Sequence, residues 1–251
     1  MTYFGQTDIG KKRKENQDCF GALPLCKEEM ILFAVCDGMG GEKGGATASA
    51  LTLSTFLSYC EKNITDASAE DVVIRAALSG AVREANHAVF AGSSSDESLT
   101  GMGSTLVAAL CFRNRRELFL VNVGDSRAYF CTNTALTQIS HDHSFVQYLV
   151  DLGELSPGKA AHHPKRNLLM KAVGVEETLT PDIDRISFPQ DTDGCTYLLL
   201  CSDGLHGYVR PTDIQKQILH PCGLEEKVDG LVSLANQKSG ADNITAILIS
   251  L

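Results

Sequence analysis

Four short apolar runs in this chain begin or end at an aspartate. ILFAVC leads into Asp37 and Gly38, FLVNV into Gly124 and Asp125, and YLLLC into Ser202, Asp203 and Gly204, while Asp242 precedes NITAILIS. A strand end places its next side chain accurately, and an adjacent glycine lets the backbone turn sharply and a ligand approach closely. Converging carboxylates repel one another unless a cation sits between them. Oxygen-only donors favour hard ions such as Mg²⁺ or Mn²⁺. Asp-Gly is also the commonest turn dipeptide, so plain turn chemistry is the competing account.

A second group of residues points to an anion. Lys11-Lys12-Arg13-Lys14 runs straight into Glu15-Asn16-Gln17-Asp18. Basic runs are usually solvated faces, but an arginine beside a cation cluster suits a phosphate, because guanidinium grips two oxygens at once. Other phosphate devices are missing. DGMGGEKGG fits neither G-x-x-x-x-G-K-[ST] nor G-x-G-x-x-G, and there is no G-x-S-x-G elbow. His141, Asp142 and His143 read as a loop capping a helix that begins after Ser144, rather than as an acid/base group.

Composition narrows the class. The 251 residues carry 22 Lys and Arg against 31 Asp and Glu, a formal net charge of −9. That balance argues against a nucleic-acid binder. No run approaches the length of a membrane span, and no apolar segment follows the N-terminal charges as in a secretory signal. Nine cysteines without a C-x-x-C pair, several of them inside apolar runs (Cys36, Cys111, Cys201), read as reduced and buried. The N-x-T triplets at Asn63 and Asn243 then carry no glycan. A cytoplasmic location is expected.

The elements that must position these residues are mostly strands. Met30–Cys36, Ser104–Phe112, Glu117–Val123, Arg127–Cys131, Thr196–Cys201 and Ile244–Leu251 have the composition of strands. The gaps at Arg113–Arg116 and Gly124–Ser126 are hairpin-sized and predict antiparallel pairing. Helical spacing covers Ala46–Cys60, Glu70–Phe90 with Ser68 as N-cap, Ser144–Leu152, and Glu225–Lys238 after Gly223. Gly92–Gly103 is the most loop-like stretch. Strands and helices come in blocks, which predicts an α+β or layered fold.

These residues resemble a known family. Arg13-x-x-Asn16-Gln17-Asp18, Val35 to Gly41 (VCDGMGG), Gly101 to Thr105 (GMGST), Val123 to Arg127 (VGDSR), Cys201 to Gly204 (CSDG) and Asp242 to Thr245 (DNIT) follow the order and spacing of the PP2C (PPM) metal-dependent Ser/Thr protein phosphatases, most closely the compact bacterial type. The resemblance implies a four-layer αββα sandwich, two antiparallel sheets flanked by helices. It implies one domain over 1–251 with a flap at about 145–167, and a length that leaves regulation to partners.

The resemblance also implies roles. Asp37 would bridge two Mn²⁺ or Mg²⁺ ions, with the Gly38 carbonyl on one and Asp203 and Asp242 on the other. Asp18 would act through water, and Asp125 with Asp203 would hold a third, weaker ion. Arg13 would clamp the substrate phosphate. A metal-bridging hydroxide would attack phosphoserine or phosphothreonine directly. Gln17 stands where many members have Glu, and Met39 where animal members have a histidine acid. The expected partners are phosphoproteins, as substrates opposing a bacterial Ser/Thr kinase, and the chain is expected to be a monomer. The alternatives are a silent phosphopeptide- or metal-binding pseudophosphatase, or a phosphatase dedicated to one regulatory phosphoprotein.

Overall fold

The computed structural model of the chain describes residues 1–188 and 196–251. It contains two five-strand antiparallel paths. One sheet runs in the order β1 (Thr2–Asp8), β11 (Ile244–Ser250), β10 (Tyr197–Cys201), β7 (Arg127–Cys131), β8 (Leu136–Gln138). The other runs β2 (Asp18–Leu25), β3 (Met30–Met39), β5 (Leu106–Phe112), β6 (Glu117–Val123), β9 (Asp182–Ser187), with the two-residue β4 (Gly103–Ser104) paired to β3.

Strand alternation builds the layers. In β3, Ile31, Phe33 and Val35 point toward the other sheet, where they meet Leu198, Leu200, Ile247 and Ile249. Leu32, Ala34 and Cys36 point the opposite way, onto the helical layer of α1 (Gly41–Asn63) and α2 (Asp71–Ser95). Both faces are buried, so the strand reads as a continuous apolar run. The second sheet repeats the arrangement. Its Leu199, Cys201, Ala246 and Leu248 cover α5 (Asp203–His206), α6 (Pro211–Leu219) and α7 (Leu224–Lys238). The result is the expected αββα sandwich. A fully buried side chain such as Phe33 contributes about 1.5–3 kcal/mol by leaving water.

Several element boundaries differ from expectation. Gly124–Ser126 is not a hairpin turn, because β6 and β7 belong to different sheets and the turn crosses between them. Ser104–Phe112 is broken at Thr105, whose N–H leaves the ladder to donate to the Asp37 carbonyl at 2.8 Å. Ser68 does not cap α2. It sits in a turn on Asp66, whose Oδ1 accepts from its N–H and hydroxyl, and Glu70 is the N-cap. α2 continues to Ser95, into the stretch expected to be loop, with the Ser94 and Ser95 hydroxyls donating to Phe90 and Gly92 carbonyls. Ser144 caps α3 (Phe145–Asp151) as expected, its hydroxyl accepting from the Gln147 N–H. α4 (Pro157–Ala160) follows.

The eight cysteines among the described residues are free thiols, Cys36, Cys111 and Cys201 fully buried. Cys195 lies outside those residues. Among the described residues no helix is long and apolar enough to cross a membrane.

Candidate active site

The strand ends that carry the aspartates meet at one end of the sandwich. Asp18 opens β2 and faces Asp37 directly across the β2–β3 ladder. On the other sheet, β10 ends at Cys201, and Ser202 leads into α5 at Asp203. Asp242 precedes β11, which pairs with β10. These ends border a cleft of about 870 Å³ lined by Arg13, Asp37, Gly38, Asp125, Asp203 and Asp242, with Met39 beside them. Asp18 lies beneath them, 6% exposed.

Two glycines let the backbones close up here. A Cβ on Gly38 would stand 2.0 Å from the Gly45 carbonyl oxygen, so the N-terminal part of α1 rests on the residue after Asp37. A Cβ on Gly204 would stand 1.8 Å from the Asn243 carbonyl oxygen. Only glycine therefore allows the segments after Asp203 and after Asp242 to touch.

The carboxylates differ in support. Asp37 is held through its backbone: its N–H donates to Thr105 Oγ1 at 2.9 Å, and its carbonyl accepts from the Thr105 N–H. Thr105 Oγ1 also shares a 2.7 Å hydrogen bond with Ser126 Oγ, next to Asp125. Asp18 is held through its side chain. Its Oδ2 accepts from Ser202 Oγ and Thr245 Oγ1, each at 2.7 Å. Its Oδ1 is buried with no hydrogen-bond partner, and so is Asp203 Oδ1.

Arg13 enters the cleft and donates to Asp242 Oδ2 at 2.7 Å. Its loop is fastened by Asn243, whose Nδ2 donates to the carbonyls of Ile9 and Glu15 while Oδ1 accepts from the Gln17 N–H. Asn243 is thus a buried bracket, with no free amide for a glycan. Gln17 Nε2 donates to the Gly41 carbonyl at 2.7 Å. The supporting roles of Thr105, Ser202, Asn243 and Thr245 escape a reading of the sequence, although all four lie inside or beside the quoted motifs.

Electrostatics show what the cluster lacks. Burial pushes Asp18 up to about 6, opposed by its two hydroxyl donors. Burial raises Asp125 to about 7, reinforced by Asp142 and offset in part by Arg127. Asp37 and Asp203 rise well above the ordinary carboxylate range, first through burial and then through repulsion by neighbouring aspartates, including Asp18, Asp125 and Asp242. Among the described residues, no three His, Cys, Asp or Glu side chains form a ready cage. The oxygen donors that line the cleft are of the kind that suits a hard ion keeping several waters. Two unpartnered buried carboxylate oxygens and mutual repulsion fit a positive charge at this point.

Residues 10–248 match the family described as Protein phosphatase 2C. The chain belongs to that family. Among phosphatase 2C relatives, the serine/threonine phosphatase stp of Listeria welshimeri is 36% identical over 244 residues, covering 97% of this chain and 93% of that protein. The serine/threonine protein phosphatase PstP of Mycobacterium tuberculosis is 37% identical over 251 residues, 99% of this chain and 44% of the relative. The crystal structure of phosphatase Stp1 from Staphylococcus aureus superposes with a TM-score of 0.89 at 32% identity, covering 99% of this chain and 94% of that one. The catalytic domain of PstP in complex with two manganese ions superposes with a TM-score of 0.80 at 32% identity, covering 98% and 96%.

Proposed function

We infer that this chain is a metal-dependent protein serine/threonine phosphatase, hydrolysing phosphoserine and phosphothreonine in proteins without a phosphoenzyme. The observation that carries the reading is the convergence of Asp37, Asp125, Asp203 and Asp242 on one cleft above the buried Asp18, with buried carboxylate oxygens left unpartnered.

In this reading Asp37 would help to hold both of two Mn²⁺ or Mg²⁺ ions. The Gly38 carbonyl would serve one, and Asp203 and Asp242 the other. Asp125 with Asp203 would serve a third, weaker ion, and Asp18 would act from below through water. Such ions, when bound, make water acidic enough to be a nucleophile near neutrality and offset phosphate charge. Arg13 leaves Asp242 and takes two phosphate oxygens, orienting the phosphorus and neutralising charge that grows in transfer. Met39, at the rim, has no proton to give a leaving oxygen. The segment 145–167 is the flap beside the cleft, at whose end Asn167 reaches the lining. We place the chain in the cytoplasm as one monomeric domain over 1–251. It would act on phosphoproteins made by a bacterial Ser/Thr kinase, with no nucleic-acid or membrane partner.

The pseudophosphatase alternative would be favoured by loss of Asp37, Asp203 or Asp242, and all three are present. The chain should hydrolyse p-nitrophenyl phosphate and a phosphothreonine peptide with Mn²⁺, and both EDTA and Asp37→Asn should abolish this. Undiminished turnover in EDTA would sink the metal-dependent reading; no turnover at any Mn²⁺ concentration would favour the pseudophosphatase.

A further inference from the structure

Asp125 stands in a three-residue crossing between the two sheets, outside any strand. Gly124 before it adopts φ +98°, and a Cβ there would lie 2.7 Å from the Thr105 side chain. Such a turn needs to be held, and two histidines grip its backbone. His206 Nε2 lies 3.0 Å from the Asp125 carbonyl oxygen. A carbonyl only accepts, so Nε2 carries the proton and donates. His206 is the last residue of α5 and Asp203 is the first. One helical turn thus carries a cleft carboxylate at one end and the holder of Asp125 at the other.

His143 grips the residue before Asp125. Its backbone N–H donates to the Gly124 carbonyl at 2.9 Å, and its ring Nδ1 accepts from the Gly124 N–H at 3.1 Å. An accepting Nδ1 carries no proton, so Nε2 carries it and donates to Asp182 Oδ2 at 3.0 Å. The other Asp182 oxygen accepts from Lys171 Nζ at 3.1 Å. The ring is therefore fixed in tautomer and orientation from behind.

We propose that His206 and His143 are positioning residues that set Asp125 against Asp203 and so govern the weakest of the cation sites. The proposal rests on the metal-dependent reading of the cleft. Partners of this kind, one shell behind the ligands, change metal affinity by about 10–100-fold.

The test is Mn²⁺ titration calorimetry on the full chain with His206→Gln and His206→Asn. Gln puts its amide nitrogen where Nε2 stands; Asn stops short of it. Asn should weaken the weakest Mn²⁺ step about tenfold or more. The tighter steps should stay as in the unchanged chain, and Gln should restore the weak step. His143→Leu should weaken the same step alone. Equal affinities for the Gln and Asn variants, or a loss shared by every step, would overturn the proposal. If the unchanged chain takes up no Mn²⁺ at all, the metal-dependent reading falls and takes this one with it. A chain that binds Mn²⁺ and responds to Asp37→Asn, yet ignores His206, overturns the positioning role alone.

Discussion

Arg13 and Asp242 form a 2.7 Å ion pair in which the arginine is half exposed. An exposed pair of this kind contributes little to stability, so its interest is in binding. The same guanidinium is the candidate phosphate clamp, and the same carboxylate a candidate ligand. Arg13→Ala should therefore raise KM for a phosphothreonine peptide about tenfold, the loss of one charge-assisted contact. It should not weaken Mn²⁺ binding, because it removes a cation from beside Asp242. An unchanged KM would take Arg13 out of the phosphate site, and weakened Mn²⁺ binding would make the pair structural. At this scale Asp37, Asp125, Asp203 and Asp242 are legible because each ends or precedes an apolar run, whereas Asp18 enters only through the family resemblance. The side chains that support them are not legible. Thr245 reaches Asp18 across 227 positions of chain, and no local pattern encodes such a partner.

Among the elements, legibility followed position in the sheet. The six strands expected from the sequence are β3, β5, β6, β7, β10 and β11, all interior to their sheets. Apart from the two-residue β4, the strands not expected are β1, β2, β8 and β9, which are the four edges. An edge strand has fewer buried positions and tolerates residues that interior strands refuse. Pro24 in β2 and the polar β9, DIDRIS, are examples. The β6–β7 crossing has the sequence of a hairpin turn because turn chemistry is local, whereas the sheet a strand joins depends on distant partners. Contact between elements also makes a prediction. Gly204→Ala puts a methyl where the Asn243 carbonyl now sits, so α5 and the start of β11 must separate. Mn²⁺ affinity should fall at least tenfold, because Asp203 and Asp242 move apart. The fold should survive, as judged by circular dichroism. Undisturbed Mn²⁺ binding would show that these two acids need not be adjacent.

Taken as a whole, the molecule carries its charge unevenly. Of the 31 acids, five gather in and beneath the cleft, and at Asp18, Asp37, Asp125 and Asp203 burial and repulsion by neighbouring acids oppose ionisation. Asp18 at about 6 and Asp125 at about 7 both lie above the ordinary 3.8. Between those values the metal-free folded chain holds protons that the unfolded chain has released, so its stability falls as pH rises. That contribution is complete below 3.8 and lost as pH passes about 7. In EDTA, Tm should decline from about pH 5 to pH 8, and Mn²⁺ should restore it most at the upper end. A metal-free Tm that climbs across this window would contradict the raised values.

The origin of the acids has a mechanical consequence. Asp18 and Asp37 belong to one sheet, while Asp203 and Asp242 border strands of the other. An ion shared among them would be a fastener across the seam of the sandwich. Its grip would then report how firmly the two halves are clasped, even at points far from the cleft. Ile247, buried between the sheets and five positions along the chain from Asp242, is not among the residues that line the cleft. Ile247→Val should cost about 0.5–1.5 kcal/mol of stability. It should also loosen Mn²⁺ measurably, as wear in a hinge loosens a latch; unaltered Mn²⁺ affinity in that variant would mean that the seam and the latch are independent.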